Sequence, residues 1–255
     1  MNIGKHTRLN RLFAHPSGNL CSVAVDHFIG YSLGLPRGLR EIEQTLAAVE
    51  AGKPDAVTLH KGVALSAWAP YAGKIPLILQ SVIARPDDSA CEAIAVPDDA
   101  VRLGADAFAV AIFVRGASEG AHIRMLADQV RQAEKYEMPV ICHTYPRNFE
   151  GTARVSFTPE DIAWAVRCAL EAGADVIKTP YCGDVASYRQ IVNDCPVPLV
   201  AAGGPQAETL EAALTMIGEV MESGARGATI GRNVWGFEDI PYAVKAFKRI
   251  IHGEE

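Results

Sequence analysis

The sequence has no long uninterrupted apolar run, no basic tract, no C-x-x-C pair and no low-complexity segment. Each absence excludes something. No run approaches the length needed to cross a bilayer, so no membrane span is expected. The segment from Met1 to Leu20 mixes Lys5, Arg8 and Arg11 with Asn and His and lacks the apolar centre of a secretory signal, which predicts a cytoplasmic protein. Lys and Arg together number 24 against 30 Asp and Glu, a formal charge of -6, and this argues against nucleic acid as the main partner. Cys21, Cys91, Cys142, Cys168, Cys182 and Cys195 are scattered, as reduced thiols are, rather than paired as in a disulfide frame or a zinc knuckle. No G-x-G-x-x-G follows the first apolar run, and the histidines lack H-x-H or H-E-x-x-H spacing. No cofactor and no metal are called for.

What is present is a repeated sentence: a short apolar run, a polar or Gly-rich loop, an amphipathic helix, then Gly and another run. Strands are expected at 21–25, 56–59, 75–79, 107–113, 139–142, 175–177, 198–201 and 228–230. Several are apolar on both faces, the pattern of parallel strands covered by helices. Helices are expected at 40–51, 123–136, 159–172 and 207–223. Gly52, Gly104, Gly173 and Gly224 stand where those helices stop, in the left-handed conformation glycine adopts at little cost. Thr158 before Pro159 reads as an N-cap, and Phe157 and Trp164 read as core. The segment Ala84–Pro97 reads as a plain excursion after the third strand. The 255 residues and 49% apolar content, with eight βα units, predict an α/β fold: a single (β/α)₈ TIM barrel filling one domain over 1–255.

In such a barrel the chemistry sits where strands end and βα loops begin. Those positions hold Asp26 and His27, His60 and Lys61, Gln80, Arg115, His143 and Tyr145, Lys178, Gly203 and Gly204, then Gly231 and Arg232. Lys178 closes an apolar strand, where loss of water frees its amine to condense with a ketone. A lysine there can equally neutralise a carboxylate or hold a phosphate, and position alone leaves both readings open. Tyr145, expected just past the fifth strand, could shuttle the proton that imine chemistry needs, or only pack. Asp26 could orient a substrate hydroxyl, or brace its loop.

The glycine loops are more specific. "VAAGGPQAETL" and "TIGRNVWGF" follow the last two strands, where barrels of this kind hold phosphate. Consecutive N–H groups at a helix start suit an anion, and Arg232 adds charge-assisted hydrogen bonds. His27, His60 and His143 at one barrel mouth would suit zinc, but neutral histidine acting as a hydrogen-bonding or acid–base group is the commoner use.

The stretches "GADVIKTPYCGD", "AAGGPQAETLEAAL" and "GATIGRNVWGFED", with "VAVDH" and "YPR", resemble the archaeal-type (DhnA-type) class I aldolases. That family includes class I fructose-bisphosphate aldolases, 2-amino-3,7-dideoxy-D-threo-hept-6-ulosonate synthase and the autoinducer-2 phosphate thiolase. The resemblance implies Lys178 as Schiff-base former, Tyr145 as acid/base and Asp26 as third catalytic group. It implies phosphate binding by Gly203, Gly204, Gly231 and Arg232, with His27, His143 and Arg147 also on the substrate, and a homo-oligomer, pentamer or decamer. The implied activity is a lyase making or breaking a C–C bond in a phosphorylated ketose. Acyl transfer of the thiolase type and metal-dependent hydrolysis are the competing activities. Where the fructose-bisphosphate branch carries Trp, this chain has His143; where that branch reads Ser-Gly-Gly-Pro-Lys, it has Ala202 and Gln206. Cys182 and Asn148 also depart. The lost hydroxyl and ammonium argue against a doubly phosphorylated substrate.

Overall fold

The computed structural model describes residues 2–31 and 34–254; Met1, Ser32, Leu33 and Glu255, covered by the single-domain expectation, lie outside the described residues. In chain order the strands are β1 (Leu20–Ala24), β2 (Ala56–His60), β3 (Leu77–Gln80), β4 (Val82–Ala84), β5 (Cys91–Ala93), β6 (Ala107–Val114), β7 (Val140–Asn148), β8 (Arg154–Val155), β9 (Val176–Thr179), β10 (Leu199–Ala202) and β11 (Gly227–Ile230). Eight of them run β6-β3-β2-β1-β11-β10-β9-β7, and a β6–β7 pairing closes the ring. All the ring pairings are parallel. This is the expected (β/α)₈ barrel.

Strands such as β1, β2 and β9 are buried along their whole length, because helices cover the outside and side chains fill the inside. The larger core lies between sheet and helices. A smaller one fills the barrel with Leu20, Ala56, Ile78, Ala107, Ala109, Ile141, Val176 and Val200. Its lower end is closed by Leu9, Leu12 and Phe13 from the helix Ile3–Leu12 and its end. No expectation covered that helix, whose few apolar residues are spaced among Lys, His and Arg. The helices that follow β8, β9 and β10 start on side-chain caps: Thr158 accepts from the Asp161 N–H, Asp184 from Ser187 and Thr209 from Ala212.

Several expectations are corrected. Strand β7 runs on to Asn148 because β6 pairs with it as far as Val114↔Pro146 and β8 then pairs antiparallel; Tyr145 therefore sits on a strand, not in the loop past it. The excursion after β3 is an antiparallel β4–β5 hairpin. Gly104, Gly173 and Gly224 are left-handed (φ +67°, +93° and +91°), whereas Lys53 (φ +57°) takes that conformation in place of Gly52. Gly52 is needed for space: a Cβ there would stand 2.4 Å from Val244 Cβ. Trp164 and Phe157 are not core, being 42% and 43% exposed. The helix Pro159–Glu171 buries Ile162, Ala165, Val166 and Ala169. Trp164 faces away from them, donates to Glu119 Oε2 at 2.9 Å and carries the Arg115 guanidinium on its ring.

Candidate active site

At the C-terminal end of the barrel the strands surround a narrow well, whose empty volume with its mouth is about 490 Å³. Asp26, His27, His60, Gln80, His143, Tyr145 and Lys178 line it, together with Val82, Ala84 and Pro86 of the hairpin. A wider cleft lies between Pro36–Thr45 and Trp235–Ile240, but its Arg37, Arg40 and Glu41 are exposed. Perturbed ionisable groups converge in the well, so chemistry rather than size marks the site.

Lys178 stands on β9 and is 4% exposed. Burial pushes its ammonium down to about 8, with the Arg232 charge acting the same way and Asp26 opposing. Burial alone would raise the Asp26 carboxyl; the hydrogen bond and charge of His27, with Lys178 and His60, hold it well below the usual carboxylate range. His27 Nδ1 lies 3.2 Å from Asp26 Oδ1. His143 is the register partner of Lys178, and burial followed by the Lys178 charge keeps its imidazole neutral. Tyr145, two residues on, packs its ring 5.5 Å from Phe113. A partly neutral amine, a carboxylate, a neutral imidazole and a phenol thus share one well. This set can form and break an imine.

Two neighbours organise the well: Gln80, given no role from sequence, and His60, which acts as the hydrogen-bonding histidine expected of it. Gln80 Nε2 lies 3.1 Å from both Asp26 Oδ2 and His143 Nδ1. His60 bridges Gln80 O and Asp26 O at 3.2 and 3.1 Å. Among the described residues no three His, Cys, Asp or Glu side chains form a group able to hold a metal. Lys61, the other lysine at a strand end, is paired to Asp99 at 2.8 Å.

The glycine loops meet beside the well. A Cβ on Gly231 would stand 2.3 Å from His27 Cε1, so only glycine lets that ring lie against the loop. Gly203 does not present its N–H to the loop: it donates to Thr229 O at 3.0 Å. Gly204 takes φ +72°. Asn233, which sequence reading passed over, ties the two loops by donating to Gly203 O and Pro205 O (2.7 and 2.9 Å) and accepting from Ala207 N–H at 2.8 Å. Arg147 also departs from expectation. Its buried guanidinium is spent on Val114 O, Arg115 O, Pro86 O, Ser118 Oγ and Asp88 Oδ1. It ties the β4–β5 turn and the connection after β6 to β7 instead of facing the well.

Residues 20–236 match the DeoC/LacD family of aldolases. The chain is 33% identical over 98% of its length to 92% of a 2-amino-3,7-dideoxy-D-threo-hept-6-ulosonate synthase of Halobacterium salinarum. It is 32% identical over 78% of its length to 75% of a class 1 fructose-bisphosphate aldolase of Thermoproteus tenax. A crystal structure of an archaeal fructose 1,6-bisphosphate aldolase superposes with a TM-score of 0.86 at 30% identity, covering 98% of this chain and 99% of that one. Match, relatives and well agree: the chain belongs to the DeoC/LacD family of aldolases, lyases that make or break carbon–carbon bonds.

Proposed function

We propose that the chain acts on a phosphorylated ketose through an imine at Lys178. The observation that carries this reading is the sealed Lys178 amine, with a pKa of about 8, beside a carboxylate. A fraction of the amine is neutral near pH 7 and can attack the ketose carbonyl. The carbonyl oxygen leaves as water, and the resulting iminium draws in the electron pair of the C–C bond that breaks. Tyr145 supplies and removes protons for these steps; the Asp26 carboxylate balances the iminium charge. Gly204, the turn at Gly231 and Arg232 hold the substrate phosphate, and His27 packs the phosphate loop against the well.

One related solved structure has its catalytic lysine covalently bound to the carbinolamine intermediate of its substrate, which supports the same route here. The fructose-bisphosphate and heptulosonate relatives support a phosphorylated polyhydroxy ketone. The test is borohydride reduction in the presence of ketose phosphates, with peptide mapping: the adduct is expected on Lys178, and an adduct on Lys61 would overturn the assignment. A homo-oligomer, pentameric or decameric, is proposed in the cytoplasm; light scattering of the purified chain checks the assembly.

A further inference from the structure

We propose that Gln80 is a positioning residue that fixes the tautomer of His143, so that His143 offers an Nε2–H donor to the substrate's carbonyl oxygen. The second half of this rests on the Schiff-base reading of the well. Gln80 closes β3 and is buried, and its Oε1 accepts the backbone N–H groups of Ser81 (3.0 Å) and Val82 (3.2 Å). Turning the amide over would set its NH₂ against two N–H donors, so oxygen and nitrogen are fixed in place.

The amide nitrogen then has two hydrogens and two acceptors at 3.1 Å, Asp26 Oδ2 and His143 Nδ1. A donor aimed at Nδ1 requires a lone pair there, which leaves the single ring proton of a neutral imidazole on Nε2. The surroundings keep the ring neutral: burial and the Lys178 charge both oppose a second proton. Among the described residues no hydrogen bond engages Nε2, while the ring lines the well beside its register partner Lys178.

The donor therefore stands one strand from the amine. When the Lys178 nitrogen bonds to the carbonyl carbon, the π electron pair of C=O moves onto oxygen. A neutral N–H held in place stabilises that oxygen without giving up its proton, and an imidazolium is not needed. The same Gln80 nitrogen holds the Asp26 carboxylate, so one amide sets both the electrostatic partner of the iminium and the donor for the oxygen. The substrate feature read at this point is an oxygen acceptor, and an ammonium group in its place would meet the Nε2–H as donor against donor.

The test is long-range ¹H–¹⁵N NMR on the full chain with labelled histidine, His143 being assigned by its loss in His143→Phe. The ligand-free parent is expected to show Nε2 protonated and Nδ1 bare. Gln80→Glu keeps the shape but faces Nδ1 with an acceptor, and a proton is expected to appear on Nδ1. Gln80→Glu and His143→Phe should each lower turnover roughly 10²- to 10³-fold, the range for removing one such donor. A parent with Nδ1 protonated would overturn the proposal whether or not the variants fold, as would an unchanged tautomer in a folded Gln80→Glu. A parent with the expected tautomer that forms no borohydride adduct with ketose phosphates would uphold the Gln80 clamp and remove the Schiff-base reading.

Discussion

His143 and Lys178 are register partners on adjacent strands, and burial acts on both in one direction. It loosens the amine's hold on its proton and keeps a second proton off the imidazole. A lone buried cation would be costly; two neighbouring basic groups in one dry well discourage each other further, and Asp26 is the compensating charge.

Imine formation should accelerate as pH rises through about 8, where the Lys178 ammonium loses its proton. The sign for stability follows from the same shift. The unfolded chain holds this proton up to roughly pH 10.4, so the fold gains stability between about 8 and that value and carries a penalty below it. A drop from 10.5 to about 8 corresponds to about 3 kcal/mol. Lys178→Met should abolish turnover and the borohydride adduct. Relative to this variant, the parent should become more stable from pH 7 to pH 10, read as urea midpoints.

Tyr145→Phe keeps the ring that packs on Phe113 but removes the phenol. Turnover should fall roughly 10²- to 10⁴-fold, with substrate affinity nearly unchanged. An unaltered rate would return Tyr145 to packing alone.

Arg232→Ala should raise KM for a phosphorylated ketose by roughly ten- to a hundredfold, from a charged hydrogen bond of about 1.5–3 kcal/mol. The unphosphorylated analogue should be much less affected. Competitive inhibition by inorganic phosphate should weaken in the variant. Equal losses on both substrates would make Arg232 a brace.

Arg147 makes the opposite prediction. Its guanidinium is buried against the half-exposed Asp88 and several carbonyls, so Arg147→Ala leaves partly buried acceptors without their donor and should cost about 1–3 kcal/mol. Arg147→Lys should recover little of this, since an ammonium cannot reproduce the planar fork. KM for phosphorylated and unphosphorylated substrates should change by the same factor, if the protein still folds.

The barrel was legible because each βα unit repeats the same physical demand: an apolar strand, a Gly stop and an amphipathic helix. Lys178, Asp26, His143 and Tyr145 could be picked out because barrels place chemistry at strand ends, and all four line one well. What stayed hidden depends on partners distant in sequence. Tyr-Pro-Arg reads as a turn, yet β6 holds it in strand through Pro146. Arg147 looks like a ligand for phosphate until its hydrogen bonds to Pro86, Arg115 and Ser118 are seen. Gln80 and Asn233 are ordinary amides in the sequence, and only their bonds show that they hold the well and the loops. Trp164 misled because a large aromatic in a helical pattern usually packs inward, whereas here Glu119 and Arg115 engage it at the surface.

The plug of Leu9, Leu12 and Phe13 beneath the barrel bears on the order of events in turnover. With the floor shut, whatever enters the well must leave by the same doorway. An aldehyde released on the doorway side of the imine would have to depart before water could hydrolyse that imine. A single doorway would then set a queue: aldehyde out first, ketone last. In the synthetic direction the ketone must load before the aldehyde, and an aldehyde that arrives early should inhibit by occupying the doorway.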